Sequence, residues 1–155
     1  MGQSTTNRPP ALAAHAPGVL QRLSVAFAAG ALGAVFIIAV AAALQVSGFV
    51  ALIGLGALDA ANLPFLYQNV TWGGIWGLLL ATPFLAASPV LRGVIAGGLA
   101  TTALFFIFFP LRTDGDAGPG VAGLNVGIAL PVFAIAINSV WGIAAALFYE
   151  RAFKS

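Results

Sequence analysis

Two asparagines are the polar residues of this chain best placed to do chemistry. Asn69 opens the run Asn69-Val70-Thr71-Trp72-Gly73, and Asn138 opens Asn138-Ser139-Val140-Trp141-Gly142 at an offset of 69 residues. A side-chain amide carries two N–H donors and a carbonyl acceptor, and in an apolar surround it is costly unless those groups are bonded. The pair therefore reads as interhelical glue, worth about 0.6–2 kcal/mol per bond. The competing reading is two related amides lining a solute path. Trp72, Trp76 and Trp141 lie in the same two segments. Their amphipathic rings are expected to anchor helix depth at a membrane interface, with stacking on a substrate as the alternative.

The remaining polar residues point to no reaction. Asp59 ends an apolar run one turn before Asn62 and reads as a solvated cap. Asp114-x-Asp116 sits in a Gly-rich loop without the further ligands and closing glutamate of a calcium loop. His15 stands alone in a polar tail, and Glu150 with Arg151 closes the last apolar stretch, where long side chains reach for headgroups. There is no Ser/His/Asp set, no paired carboxylates, no HExxH and no phosphate-cradling loop. Cysteine is absent altogether. No catalytic, cofactor or metal site is predicted, and the expectation is a non-enzymatic protein.

The elements that must position these residues follow from composition. Of 155 residues 61% are hydrophobic and 6% charged, with a mean hydropathy of +1.03. Soluble domains carry about 25% charged residues, so a chain this poor in charge needs lipid around it. Net charge is +2 with scattered basic residues, which excludes a clustered nucleic-acid footprint.

Four charge-free stretches, residues 24–44, 64–87, 93–111 and 131–149, are long enough to span. A helix of 19 residues reaches about 28 Å against a hydrocarbon core of about 30 Å, and backbone in lipid must satisfy its own hydrogen bonds. Residues 46–58 form a fifth, shorter stretch. With four spans, Arg8, Arg22, Arg92, Arg151 and Lys154 share one side and Arg112 alone takes the other. Five spans would split the basic residues evenly. The lopsided split obeys the positive-inside rule, so residues 46–58 are expected to lie as a short interfacial helix after the first span. Residues 1–18 read as a disordered cytoplasmic tail, and residues 19–155 as one transmembrane domain. The triplet Ala41-Ala42-Ala43 resembles a signal-peptidase site, but the charge-free run before it is too long for an ordinary signal core.

The Asn-x-x-Trp-Gly recurrence extends into a repeat. Leu63-Pro64 matches Leu130-Pro131 at an offset of 67, and Arg22 matches Arg92 at an offset of 70. Near-constant offsets suggest a duplicated unit of about 70 residues, residues 19–88 and 89–155. Two helices per unit give both copies the same orientation, a parallel repeat. Small-residue stripes run through it: Gly73-x-x-x-Gly77, Gly142-x-x-x-Ala146, Gly93-x-x-x-Gly97 and Ala26-x-x-x-Gly30-x-x-x-Ala34. Such stripes let helix backbones approach closely in lipid, either within the chain or between copies of it.

Three segments carry a resemblance: Arg92-Gly93-Val94-Ile95-Ala96-Gly97, Phe109-Pro110-Leu111, and Val140-Trp141. Over about 60 residues the C-terminal half resembles the uncharacterised bacterial inner-membrane family typified by YagU. That resemblance implies a small inner-membrane protein without an established activity.

The sequence thus predicts an all-α, multi-pass protein of the bacterial inner membrane with both termini cytoplasmic. It is expected to have four transmembrane helices in two parallel two-helix repeats. Its expected role is an accessory or scaffold component, self-associating or joined to other membrane subunits. The alternative is a small-solute transporter or channel built from the duplicated unit.

Overall fold

In the computed structural model the protein is described over residues 17–56, 62–82, 88–114 and 118–154. The tail with His15, together with Asp59 and Asp116, lies outside the described residues. Within them the fold is all-helical. Helix α1 runs Val19–Val46 and is followed by a four-residue turn of helix, α2, Phe49–Leu52. Helix α3, Leu63–Gly77, tightens into a 3₁₀ turn at Leu78–Ala81. Helix α4, Pro89–Ala103, widens into a π-helical segment at Leu104–Phe108 and ends in α5, Phe109–Leu111. A 3₁₀ turn at Val121–Gly123 precedes α6, Ala129–Arg151.

Among the described residues three helices are long and apolar enough to cross a membrane: Val19–Val46, Pro89–Leu111 and Ala129–Arg151. Their surfaces are those of a membrane protein. Bulky residues such as Leu32, Phe36, Leu99 and Ile135 face outward, while the buried positions of α1 are all alanine and glycine. Lipid explains this inversion. Tails solvate large apolar side chains as well as a core does, so burial is decided by how closely backbones can approach.

The stretch at residues 46–58 divides differently from expectation. Helix α1 takes in Val46, and beyond it, among the described residues up to 56, four are helical, Phe49–Leu52. Gly48 and Gly54 adopt left-handed backbone with φ of 79° and 77°, which turns the chain back so that Val50 and Leu55 are buried. A glycine supplies that conformation without steric cost.

Helix starts follow local chemistry. The Ser88 hydroxyl accepts from the Leu91 amide at 3.3 Å, and Pro89 occupies the first helical position of α4, where a missing N–H costs nothing. Further along, Pro110 cannot donate to the carbonyl four residues back and its ring crowds it. The π segment Leu104–Phe108 lies just before it, a widening that accommodates the misfit.

Packing organises the bundle in the order α3, α1, α6, α4, with only sparse contact between α3 and α4. Neighbours are antiparallel. Gly30 meets the Gly73 carbonyl and lies against Gly77, which in turn abuts the Ala26 carbonyl. Across α4 and α6, Gly93 meets Gly142, and Gly97 meets the Asn138 carbonyl. All five predicted packing glycines, Gly73, Gly77, Gly93, Gly97 and Gly142, are therefore buried at crossings inside the chain.

The two helix pairs do not cross in the same register. Gly142 sits against Gly93 and Gly97, whereas its sequence counterpart Gly73 sits against Gly30 and Ala34. The partners are thus 63 residues apart while Arg22 and Arg92 are 70 apart. Relative to the first pair, α4 is slid by two turns, about 10 Å.

Candidate functional site

The slide and the separation of α3 from α4 leave a cavity of about 330 Å³ among the four helices. It occupies the half of the bundle that holds Arg112 and the start of α6. The other half is closed by Ala26, Ala29, Leu80, Ala96, Ala145 and Ala146, all buried in one cluster. Leu80, at 2% exposure, is the largest fully buried side chain. The cavity is therefore a blind pocket among the described residues rather than a through-pore.

Helix α3 contributes Gln68, Asn69, Trp72 and Trp76, and α6 contributes Phe133, Asn138 and Trp141. Both predicted asparagines and all three tryptophans converge here. The spacing explains why: Asn69, Trp72, Gly73 and Trp76 recur at three- and four-residue intervals, so they share one helical face. The same spacing puts Asn138 and Trp141 on one face of α6.

The expectation of glue is not what the amides do. The Asn69 Nδ2 donates to the Phe65 carbonyl of its own helix at 2.8 Å. The Asn138 side chain makes no hydrogen bond among the described residues. Among the described residues no polar side-chain atom is both buried and unsatisfied; both amides are only half buried and keep access to the cavity. Asn138 thus offers two donors and an acceptor, and Asn69 its second N–H and an acceptor, to whatever enters.

The tryptophans divide by role. Trp141 is 5% exposed, and its indole N–H donates to the Gly30 carbonyl at 3.0 Å. It is a core residue tying α6 to α1, which corrects the expectation of an interface anchor. The ring has room beside α1 because Gly33 carries no side chain: a Cβ there would lie 3.2 Å from the indole Cδ1 and Nε1. Trp72 is 38% exposed and meets Phe108 edge to face, with centroids 4.9 Å apart. This contact bridges the open seam between α3 and the π segment of α4. Trp76 is half buried against the core cluster.

Sequence reasoning missed the α4 side of the cavity, made by Leu104, Phe108, Phe109 and Arg112. The signal available was the aromatic run Phe105, Phe106, Phe108 and Phe109 before Pro110. It also missed Gln68, exposed and adjacent to Asn69. A loop is tied to that end of α4 through Thr113, whose hydroxyl donates to the Phe109 carbonyl at 2.8 Å and accepts from the Gly120 amide at 2.9 Å. Gly123 in this loop lies against Phe109 and Leu130, so the loop packs over the cavity's end.

Among the described residues Arg112 is the only ionisable one lining the cavity, and no serine, threonine, cysteine, histidine or carboxylate joins it there. Among the described residues no three potential metal-ligating side chains of histidine, cysteine, aspartate or glutamate gather anywhere. The arrangement can stack on a flat apolar guest, hydrogen-bond one polar edge of it, and offer a cation at one end. Comparison with family models, curated proteins and solved structures finds no match.

Proposed function

We propose that this chain is a non-enzymatic carrier of the bacterial inner membrane that takes a small, flat, largely apolar solute with one polar edge into the cavity among its helices. The observation that carries the reading is the convergence of Asn69 and Asn138 on one aromatic cavity, with neither amide bridging two helices. Polar groups at membrane depth are expensive and tend to mark substrate pathways. The packed opposite half favours a carrier that opens by moving helices over an open channel.

The scaffold reading draws less support. The small-residue stripes that would seat a second copy are used at crossings within the chain, where their neighbours are its own backbone.

In this reading the membrane is crossed four times, by two helical hairpins from a duplicated unit whose second copy has slid in register. Helix α3 with its 3₁₀ extension covers 15 and 4 residues, about 30 Å of rise, enough to reach across a hydrocarbon core. Arg22, Arg92, Arg151 and Lys154 lie at the bundle end shared by the start of α1 and the end of α6. Arg112 lies at the other end. Positive-inside bias then puts both termini in the cytoplasm.

The test is a titration of purified protein with indole, benzamide and benzoate, followed by intrinsic tryptophan fluorescence, with flux of the same probes into proteoliposomes. Saturable quenching and flux are expected, and Asn138→Leu should weaken binding about tenfold by removing a hydrogen bond of ordinary strength. Folded protein that neither binds nor moves any of the three would refute the carrier.

A further inference from the structure

The side chains around the cavity decide which polar edge it can read. Among the described residues its side-chain acceptors are the amide oxygens of Gln68, Asn69 and Asn138, and its one cation is Arg112. Gln68 is exposed. Asn69 commits one N–H to the Phe65 carbonyl at 2.8 Å, and the Trp141 indole N–H is spent on the Gly30 carbonyl at 3.0 Å. Asn138 is half buried and keeps a whole amide edge. Its oxygen and both N–H groups make no hydrogen bond among the described residues, and both polar atoms remain accessible.

Arg112 cannot serve the polar group that Asn138 would hold. Gly97 of α4 lies against the Asn138 carbonyl. Arg112 follows Gly97 by 15 residues along the same continuous helix and just past its end, about 20 Å at helical rise. One polar group cannot touch both an arginine and an amide that stand so far apart. The α4 lining between those two levels is Ala100, Leu104, Phe108 and Phe109, all apolar. Arg112 itself is exposed, at the cavity's outer end.

We infer that the solute carries a donor and an acceptor side by side on one neutral edge, a carboxamide or ring lactam on an aromatic frame, read by Asn138. This rests on the carrier reading of the cavity and adds the chemistry of its guest. An amide presents N–H and C=O on one edge, so a second amide edge meets it through two reciprocal N–H···O bonds. A carboxylate would set an acceptor against the Asn138 oxygen. It would also bring a charge among apolar walls with no cation in reach, which is costly. A ketone leaves the Asn138 oxygen unmatched, and a buried group without its partner bears its full desolvation penalty. Sites built to bond a polar group reject analogues that lack it more sharply than they reject extra apolar bulk.

Calorimetric titration of the full chain in neutral detergent with benzamide, acetophenone and benzoate tests this. The three share one ring and nearly one shape, and differ in the edge: donor beside acceptor, acceptor alone, and anion. Benzamide should bind about tenfold tighter than either of the others, the ratio that one further hydrogen bond of ordinary strength supports. Asn138→Leu should bring benzamide and acetophenone within about threefold of each other. A tenfold preference that survives Asn138→Leu would mean that another group reads the edge, and would overturn the assignment. If that variant does not fold, the ranking on the unaltered chain decides. Benzoate binding tightest would overturn the neutral edge in favour of an anion. Equal binding of all three would overturn this inference and leave the carrier standing, whereas binding of none would remove both.

Discussion

Adjacent glycines in α4 give a sharp test of the packing that shapes the cavity. A Cβ placed on Gly97 would land on the Asn138 carbonyl oxygen, 2.8 Å from its carbon and 3.1 Å from the Ser139 Cα. A Cβ on Gly98, rotated by about 100° around the same helix, meets nothing within 4 Å. Carbon–oxygen contacts relax near 3.3–3.6 Å, so Gly97→Ala must push α4 from α6 by about 1 Å. Overpacking of this kind costs about 1–3 kcal/mol. Gly98→Ala should gain up to about 1 kcal/mol, since alanine is the better helix former. The two single-methyl variants should therefore differ by about 1–4 kcal/mol. Reversible unfolding of both proteins in mixed micelles measures the gap. The backbone displaced is that of Asn138, so Gly97→Ala should also weaken probe binding in the first cavity and Gly98→Ala should not. Stabilities within about 0.5 kcal/mol of each other, close to the noise of such measurements, would refute the close crossing and the cavity geometry with it.

Replacing Trp141 by Phe removes the donor to Gly30 and should cost about 1–2 kcal/mol in the same unfolding assay. Asn69→Leu should leave stability nearly unchanged, because the lost bond lies within one helix, yet should still weaken probe quenching of tryptophan fluorescence. Ala122 holds left-handed backbone at φ 56°, so Ala122→Gly should raise the unfolding midpoint by up to about 1 kcal/mol equivalent. Reporter fusions after residue 87 and at the C-terminus should be active in the cytoplasm, and a fusion at residue 115 should read as external. An external C-terminus would remove the four-span topology.

Composition made the membrane class and the helical fold legible, because so little charge leaves no other solvent. Three of the four expected spans coincide with the long apolar helices Val19–Val46, Pro89–Leu111 and Ala129–Arg151, since proline and arginine punctuate the chain where apolar runs begin. Asn69, Trp72 and Trp76 were recognisable as a set from spacing alone. What spacing could not tell was whether an amide faces another helix or a void. That depends on how far apart two helices stand, and the distance is set by glycines on other faces. Trp141 shows the same limit. A tryptophan near a predicted interface looks like an anchor until the bare backbone of Gly33 admits its ring to the core, where the Gly30 carbonyl accepts its N–H. The α4 wall was hidden for a further reason: a proline-induced π segment rotates the residues beyond it, so ordinary helical periodicity assigns them to the wrong face.

The cavity itself is a consequence of broken symmetry between two chemically similar hairpins. Had the units been related by a true twofold axis, α1 against α6 and α4 against α3 would be equivalent contacts. Instead the first is a tight seam fixed by Gly30, Gly33 and Trp141, and the second is loose, bridged by Trp72 against Phe108. Gly97 seats on the Asn138 backbone, drawing α4 toward the N-terminal half of α6 and leaving α3 without a close neighbour on that side. A closed twofold bundle would have had no room for a guest. An open one would have exposed both amides to lipid, where an unbonded polar group costs several kcal/mol. The intermediate arrangement faces both amides to a common void and, among the described residues, leaves one aromatic pair, Trp72 with Phe108, across the seam. Trp72→Ala removes that pair. If the seam is the route by which solute enters, Trp72→Ala should speed probe entry while leaving Asn138-dependent affinity within about threefold, a change of about 0.6 kcal/mol. Entry at an unchanged rate would place the route elsewhere, past Arg112 at the end of the bundle.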